Sequence, residues 1–393
     1  MNDFKLSLAA EKVLSRLNEN GFKAYVVGGA IRNFYMNKEP SDYDIATSAL
    51  PDEIICIFSD CKVIETGKHF GTITAIVDGE QIEITTFRSD GAYLNCRSPE
   101  AVYYSDTVEE DLKRRDFTIN ALAYSPYLGS VDLFGGISDI ENKIIRTIGN
   151  PDRRFSEDAL RILRGLRFSS ILRFTIEEET KNSIFKNKNL LLNISKERIR
   201  EEFNKILMGK NAKNVLLEYR DVISVFIPEI KDSEDNFYKA SNDLYMNLAL
   251  FLKDTFPNTR QILRRLKYDN KTVKTVCFLT EYYSVPLPDK KPELKKFLNN
   301  FGIENTIKLL DLKSINSKEE FQITEKHLYE IEENKECYLI KDLEINGNDL
   351  IDMGIEPKNI GKIMEFILNE VIYERIENKR DSLLESVKNN YSN

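Results

Sequence analysis

Five residues near the start of this chain have types and spacing suited to phosphate chemistry: Gly28, Gly29, Arg32, Asp42 and Asp44. Adjacent glycines let the backbone approach a ligand closely, and their N–H groups with a nearby guanidinium predict a phosphate-binding turn. The two aspartates are two positions apart on a predicted strand, so both carboxylates lie on one face. Paired carboxylates are hard oxygen ligands for Mg²⁺. Together the motifs predict chemistry on a nucleoside triphosphate, whereas each motif alone could be a simple turn or a solvated strand end.

The segments around these residues predict alternating helices and strands. Residues 4–20 have apolar side chains at helical spacing, and 23–27 and 41–47 are short runs typical of strands. An Asp-Gly turn separates two further strand-like runs, 71–77 and 81–88, which predicts a β-hairpin. The phosphate-binding turn would therefore follow one strand, and the aspartate pair would lie on the next.

The hydrophobic pattern changes near residue 148. Residues 88–104 have no periodicity and are predicted to form a long mobile loop. From Pro151 onwards, apolar side chains recur every three or four residues, which is typical of helices. The sequence Gly149-Asn150-Pro151 would break a regular element between the two parts. We therefore predict an α+β fold, in which a small mixed α/β head precedes a long all-α body.

The composition limits the class of protein. With 393 residues, of which 41% are hydrophobic and 31% are charged, the chain is expected to be a soluble globular protein with two or three domains. No apolar run approaches the ~20 residues of a membrane span, and charges throughout residues 1–19 argue against a signal peptide, so a cytoplasmic protein is expected. Five scattered cysteines argue against disulfides and structural zinc, and two histidines, His69 and His327, are too few for a His-Asp phosphohydrolase centre.

The charge distribution indicates where a nucleic acid would bind. The whole chain has a net charge of −8, which argues against a uniformly basic nucleic-acid-binding protein. Residues 151–210, in contrast, contain 14 Lys and Arg against nine Asp and Glu. A local basic belt is expected of a protein that holds RNA beside one site. The alternative is a solvated helix surface.

A third polar motif, Arg114-Arg115-Asp116, follows the predicted loop. Its two guanidinium groups would supply cations for phosphate, and its carboxylate would supply an acceptor for a ribose hydroxyl. The alternative is a capped helix start, with Asp116 or Thr118 near the N-cap position.

Asp158, Arg161 and Arg164 recur every three residues at the start of the predicted helical body, so they are expected to share a broad helix face. One interpretation is a surface ion pair worth ~0.3–0.5 kcal/mol. The other uses hydrogen-bond geometry, because an aspartate only accepts and an arginine only donates. Cytosine and adenine present a donor beside an acceptor, which such a pair satisfies, whereas guanine and uracil present the reverse. A mispaired buried group costs ~1–3 kcal/mol, so the pair would accept C and A and reject G and U.

Several motifs occur in one order along the chain: Gly-Gly-x-x-Arg (28–32), Asp-x-Asp (42–44), Arg-Arg-Asp-Phe-Thr-x-Asn-Ala (114–121), Glu-Asp-x-x-Arg-x-x-Arg-x-x-Arg-Phe (157–168) and Glu-Arg-Ile-Arg-x-Glu (197–202). This order resembles the class II tRNA nucleotidyltransferases, the bacterial CCA-adding enzymes of the DNA polymerase β superfamily. Bacterial poly(A) polymerases are close relatives of that family. The resemblance covers about residues 20–210. Residues 345–351 resemble, more loosely, the tail of the family's shorter members.

The resemblance implies a polymerase β-like nucleotidyltransferase head at 1–148, a helical neck with base recognition at 149–210, and a helical body and tail that bind tRNA at 211–393. The implied activity is template-independent addition of C, C and A to the 3′ end of tRNA from CTP and ATP. The RNA 3′-hydroxyl would attack the α-phosphate, pyrophosphate would leave, and Mg²⁺ would be the cofactor. We expect no membrane association and no obligate protein partner.

By position, the resemblance makes Asp42 and Asp44 the catalytic metal ligands. The implied nucleotide-binding residues are Gly28, Gly29 and Arg32 at the triphosphate, Arg115 and Asp116 at phosphate and ribose, Asp158 and Arg161 at the base, and Arg164 and Arg167 behind them. Glu83 is a further candidate, either as a third carboxylate near the metal or as a buried ion pair within a strand. The family usually has aspartate after Arg32, and Asn33 in this chain would weaken a charge-stabilising contact to that arginine.

Two other functions fit the same resemblance. One is a restricted relative: a CC-adding enzyme, an A-adding enzyme or a poly(A) polymerase. The long 88–104 segment favours full CCA addition, since CC-adding relatives are typically shortened there. The other is a non-catalytic RNA-binding protein of the same fold. Asp42, Asp44 and Arg115 argue against it, because binding alone needs no metal pair.

Overall fold

The computed structural model describes residues 5–40, 42–89, 103–231, 242–315 and 321–391, with the backbone of two short strands at 93–94 and 98–99. The chain forms two compact units: the first is Met1–Asp235 with Arg265–Lys267, and the second is Asn236–Arg264 with Tyr268–Asn393. No helix in these described ranges is long and apolar enough to cross a membrane. The four cysteines within the same ranges are all free thiols.

Strands occur in the first half of the chain. Within the described residues they are β1 (Ala24–Val27), β2 (Asp44–Thr47), β3 (Lys62–Ile64), β4 (Thr72–Val77), β5 (Glu80–Thr86), β6 (Arg88–Ser89), β7 (Tyr93–Leu94), β8 (Ser98–Pro99), β9 (Tyr103–Tyr104), β10 (Leu122–Ser125), β11 (Gly129–Asp132), β12 (Ile144–Ile145) and β13 (Thr175–Ile176). Seven of them form one sheet in the order β11-β10-β1-β2-β5-β4-β3. In that sheet β2 and β5 are parallel, and the other neighbours are antiparallel.

The helices of the first unit surround this sheet and continue beyond it. They are α1 (Leu8–Glu19), α2 (Gly29–Tyr35), α3 (Pro51–Ile57), α4 (Val108–Lys113), α5 (Gly136–Glu141), α6 (Pro151–Glu157), α7 (Leu160–Leu172), α8 (Glu178–Asn187), α9 (Lys196–Leu207), α10 (Ala212–Glu218) and α11 (Arg220–Ile223). Helix α1 begins after Ser7, whose hydroxyl accepts a hydrogen bond from the Ala10 N–H at 3.2 Å. Helix α6 begins after Asn150, which caps the Arg153 N–H at 3.0 Å, with Pro151 in the first position.

Burial in the sheet follows the strand period of two. In β4 and β5, buried Ile73, Ala75, Ile82 and Ile84 alternate with more exposed neighbours, most of which are polar. Strand β1 is buried along its whole length because α1 and α2 both pack against it. Packing therefore fixes the register of the central strands, and the register fixes the positions of the residues at the strand ends.

The regular structure in the described residues of the second unit is helical. Its helices are α12 (Leu244–Leu252), α13 (Thr259–Arg265), α14 (Asn270–Tyr282), α15 (Lys291–Phe301), α16 (Ile303–Ser314), α17 (Gln322–Glu333), α18 (Gly347–Asp352), α19 (Pro357–Ile372) and α20 (Arg380–Tyr391). The last residue of α13, Arg265, belongs to the first unit. One core cluster includes Leu294, Leu298 and Ile331, and another includes Ile367 and Leu383. The predicted α+β class, a mixed-sheet head followed by helices, is confirmed.

Two sequence predictions need correction at this level. The predicted strand at 41–47 begins only at Asp44, so Asp42 precedes the strand. The 88–104 segment was predicted to have no regular structure, but β6 pairs with β9 and β7 pairs with β8. The same segment was also predicted to be mobile, and its residues 90–92, 95–97 and 100–102 lie outside the described residues.

Candidate nucleotide and metal site

All the predicted site residues line one cavity of about 450 Å³ in the first unit. They are Gly28, Gly29, Arg32, Asp42, Asp44, Arg115, Asp116, Asp158, Arg161, Arg164 and Arg167. The sequence analysis assigned no role to two further lining residues, Asn120 and Phe168. Asn120 lies in the motif at 114–121 and Phe168 in the motif at 157–168, both of which carry the resemblance. Their place in these motifs could have identified them as site residues. The cavity therefore joins elements that are far apart in the sequence.

Gly28 has a backbone conformation that glycine permits and other residues rarely adopt, with φ of +70°. A Cβ at this position would also lie 3.2 Å from Nη1 of Arg115. The predicted use of both glycine N–H groups is wrong for Gly28, because its N–H donates to the Leu122 carbonyl at 3.3 Å. Gly28 therefore shapes the turn between β1 and α2. Of the two glycine N–H groups, only that of Gly28 is used in this contact.

The aspartate pair lies at the start of β2. Both Asp42 and Asp44 are exposed, whereas Ile45 is buried. The register places Asp44 between Val27 of β1 and Glu83 of β5. Asp44 is thus held beside the turn that follows β1.

Asp44 feels the negative charges of two other carboxylates. Although its side chain is exposed, the surrounding protein together with the negative charges of Glu83 and Asp42 raises the pKa of Asp44 to about 6, and Arg115 only partly opposes this shift. A divalent cation would relieve that repulsion, so the donor set fits a hard metal ion. No three His, Cys, Asp or Glu side chains in the described ranges converge closely enough to hold a metal. The candidate ligands are therefore the two aspartates.

Glu83 is exposed on β5. The alternative of a buried ion pair within the strand is therefore wrong for this residue. Its position directly beside Asp44 in the parallel pair keeps it as a candidate neighbour of the metal.

Arg115 is oriented by a buried carboxylate that the sequence analysis did not single out. Asp111 is 1% exposed and accepts from Arg115 at 3.0 Å and from Arg114 at 2.6 Å. Burial by itself would raise the pKa of Asp111, but the charges and hydrogen bonds of the two arginines lower it. Arg115 Nη1 also donates to the Asn120 carbonyl at 3.4 Å. These contacts hold the Arg115 guanidinium against the wall of the cavity.

Asp116 is buried and connects several elements of the site. Its Oδ1 accepts from the Phe117 N–H at 2.8 Å and from the Asn120 amide at 3.2 Å, and its Oδ2 accepts from Nε of Arg164 at 2.6 Å. Burial opposes ionisation, but the Arg164 charge and these hydrogen bonds lower the pKa of Asp116 to about 2. The carboxylate is therefore ionised. The alternative of a capped helix start is wrong, because the short 3-10 helix Thr118–Asn120 begins after Phe117 and has no side-chain cap.

Asp158 and Arg161 both line the cavity, but they do not share a helix face. Asp158 is an extended residue between α6 and α7, with φ of −145° and ψ of 103°. Its Oδ1 accepts from the Leu160 N–H and its Oδ2 accepts from Nη2 of Arg198, both at 3.0 Å. The prediction of one continuous helical face from Asp158 to Arg164 is therefore wrong, because the chain bends at Asp158.

Arg161 is 8% exposed, so the alternative of a surface ion pair is also wrong. Its Nη1 donates to Glu157 at 2.7 Å and to the Arg154 carbonyl at 3.0 Å. Its Nη2 donates to the Arg114 carbonyl at 2.9 Å. Arg161 therefore ties α7 to the segment that carries Arg115.

Arg32, Arg164 and Arg167 converge on one wall of the cavity. Burial and the charges of Arg167 and Arg164 lower the pKa of Arg32, whose Nη1 donates to the Asn120 side-chain carbonyl at 2.6 Å. Asn33 accepts from Arg32 only at 3.4 Å. Arg32 thus has neutral hydrogen-bond acceptors at these contacts, which leaves its positive charge available to a phosphate.

Comparison with known proteins identifies the family. Three family models match the chain: Poly A polymerase head domain over 24–146, probable RNA and SrmB-binding site of polymerase A over 173–233, and tRNA nucleotidyltransferase domain 2, putative, over 238–387. A CCA-adding enzyme of Ligilactobacillus salivarius is 36% identical over 98% of this chain and 96% of its own length. This chain belongs to the CCA-adding enzyme family.

The membership extends over the whole chain. A second CCA-adding enzyme, from a Geobacillus species, is 34% identical over 95% of this chain and 94% of its own length. The crystal structure of a Bacillus stearothermophilus CCA-adding enzyme in complex with CTP is 29% identical, with a TM-score of 0.84 over 99% of both chains. The chain is therefore a tRNA nucleotidyltransferase, and its family uses divalent metal ions.

Proposed function

We propose that this CCA-adding family member adds C, C and A to the 3′ end of tRNA from CTP and ATP. The observation that carries the proposal is the convergence of an aspartate pair and an arginine-rich wall on one cavity of nucleotide size. The RNA 3′-oxygen forms a bond to the α-phosphorus, the bond between the α- and β-phosphates breaks, and pyrophosphate leaves. We place the reaction in the cytoplasm, where tRNA is used.

The residues of the cavity divide the work by their chemistry. Asp42 and Asp44 would hold Mg²⁺, which when bound supplies charge neutralisation at the phosphates and at the attacking oxygen. Arg32 and Arg115 bind the phosphates of the triphosphate, both before and during the departure of pyrophosphate. Asp116 orients Arg164, and its carboxylate remains an acceptor for the ribose.

A second cavity supports a place for the RNA end. It has a volume of about 970 Å³, and among the described residues it shares only Asp42 and Asp44 with the nucleotide cavity. Glu83 lines it as well. An attacking hydroxyl and a leaving pyrophosphate must lie on opposite sides of the α-phosphate, so two cavities that meet at the aspartates suit this reaction. We propose that the second cavity receives the terminal nucleotide of the RNA.

The remaining regions are assigned by composition and family. We propose that 1–148 performs the chemistry, that 149–210 contributes base recognition, and that 211–393 binds tRNA. The local positive charge of 151–210 suits recognition of the RNA backbone and shape rather than its sequence.

The test is incorporation into tRNA transcripts that end before the first C, after the first C and after the second C. Each labelled nucleoside triphosphate is supplied in turn, and the product ends are sequenced. We expect two C additions followed by one A, with no addition to a complete tRNA. Addition of C alone, A alone or an A tail would identify a restricted relative instead, and no addition with retained tRNA binding would identify a non-catalytic protein.

Base choice gives a prediction of its own. Asp158→Ala removes the proposed acceptor for the amine of C or A, so the preference for CTP over UTP should fall by roughly 5–150-fold, equivalent to ~1–3 kcal/mol. The measurement is kcat/KM for all four nucleotides. Asp221→Ala, which removes an exposed carboxylate paired with Lys188, is the control and should leave the preference unchanged. A preference ratio equal to that of the unmodified protein would contradict base recognition by Asp158.

A further inference from the structure

Phe168 has three guanidinium groups around one aromatic ring. The Cζ atoms of Arg167, Arg32 and Arg164 lie 4.5, 5.3 and 5.4 Å from the ring centroid. Each distance is within the range in which a cation is attracted by the ring quadrupole. The ring itself is 6% exposed and meets Phe117 edge-on, with 5.8 Å between centroids. Its position is therefore fixed by packing while it faces the cations.

The three arginines come from two elements. Arg32 lies on α2, and Arg164 and Arg167 lie on α7, one turn apart. Phe168, the next residue of α7, is therefore the point where cations from the head and from the neck helix meet. All four side chains line the nucleotide cavity.

The cations outnumber their carboxylate partners. Arg164 pairs with Asp116 at 2.6 Å and Arg167 pairs with Glu202 at 2.9 Å. Within the described residues, Arg32 donates hydrogen bonds instead to the neutral side chains of Asn120 and Asn33, and Asp116 and Asp42 attract its charge. Burial and repulsion by neighbouring arginines lower the pKa of both Arg32 and Arg167. Holding the group together before a polyanion binds therefore needs an attraction that does not neutralise it.

We propose that Phe168 is a positioning residue for the triphosphate: its ring holds Arg32, Arg164 and Arg167 together without adding negative charge to the cavity. A carboxylate at this place would bind the arginines more strongly, but it would repel the phosphates of the ligand. An aromatic ring attracts the cations without carrying a net charge. This inference rests on the proposed binding of a nucleoside triphosphate in the cavity.

The test replaces Phe168 with phenylalanines that carry one, two, three and five fluorine atoms, introduced at a reassigned stop codon in the full chain. Fluorine withdraws electron density from the ring face and changes the ring's size little. We expect log KM for both CTP and ATP to rise stepwise with fluorine number, by about tenfold over the series, with kcat nearly constant. The arginines act on bound nucleotide and transition state alike, so the effect belongs in KM.

A packing role predicts a different result, and a matched control separates the two. Phe155 is fully buried on α6, and no cation lies over its ring in the described part of the chain. The same fluorinated series at Phe155 should leave KM unchanged. Phe168→Leu and Phe155→Leu both remove a buried ring, but only Phe168→Leu should raise KM for the nucleotides.

A value of KM that does not change with fluorine number at Phe168 would overturn the proposal, and so would an equal rise at Phe155. Failure of the Phe168→Leu variant to fold would leave the fluorinated series as the deciding measurement. Failure of the proposed function would give a different result: the unmodified chain would add no nucleotide to tRNA. Normal CCA addition with KM insensitive to fluorination removes the role of Phe168 alone.

Discussion

Asp42→Ala and Asp44→Ala are each expected to reduce incorporation of both CTP and ATP by about a thousandfold or more. The two carboxylates are the candidate metal ligands, and a bound divalent ion contributes several kcal/mol of charge stabilisation to phosphoryl transfer. Each ~1.4 kcal/mol corresponds to a factor of ten in rate. Affinity for tRNA should change little, since the aspartates make no contribution to a basic RNA-binding surface. Single-turnover rates and a filter-binding assay measure the two quantities.

Asp60→Ala is the control for these variants. Asp60 is an exposed aspartate of the same unit whose carboxylate pairs with Arg16, and neither residue lines the cavity. Its loss should leave incorporation within a factor of two or three of the unmodified protein. Turnover of either cavity variant within tenfold of the unmodified protein would show that the aspartates do not hold the metal.

Asp116→Asn is expected to lower the free energy of unfolding at pH 7 by ~2–5 kcal/mol. The native pKa of about 2 lies below the ordinary value of 3.8, and this difference alone corresponds to ~2 kcal/mol. Removing the charge also leaves Arg164 buried without its carboxylate, which is typically costly. Urea unfolding of both proteins at pH 7 measures the difference.

The sign of the pH dependence follows from the lowered pKa. The unfolded carboxyl takes up a proton at a higher pH than the native one does, so this contribution is complete above about pH 4. It is lost as the pH falls towards 2, and the difference between the two proteins should shrink over that range. Asp152→Asn is the contrast, because Asp152 also has a pKa lowered to about 2 but is not buried. Equal losses of stability in the two variants would contradict the importance of burial at Asp116.

Local sequence patterns predicted the elements that hold the catalytic chemistry. The two-residue spacing of Asp42 and Asp44 predicted that both carboxylates share one face, and an Asp-Gly turn predicted the β4–β5 hairpin. These features depend on neighbours within a few residues, so a single sequence is enough to read them. The start of β2 and the strand pairing within 88–104 are the local features that these patterns missed.

Contacts between distant segments could not be predicted in this way. The Gly28 N–H is used by Leu122, and Asp158 is bound by Arg198, 40 residues further along the chain. The helical spacing of Asp158 and Arg161 gave no sign of the bend between α6 and α7, because periodicity ignores one extended residue. The site residues that the resemblance implied nevertheless all line one cavity. The resemblance depends on the order of the motifs and not on their local conformation.

The contact between Asp158 and Arg198 has a consequence for the precision with which a base is read. Both oxygens of the Asp158 carboxylate accept hydrogen bonds in the free protein, one from the Leu160 N–H and one from Arg198. A carboxylate has about four acceptor positions, so these two contacts leave room for the amine of a base. They hold the carboxylate in one orientation before a nucleotide arrives, so binding a base does not include the cost of ordering this side chain. Such a site can be emptied and refilled on the same RNA without being rebuilt between additions.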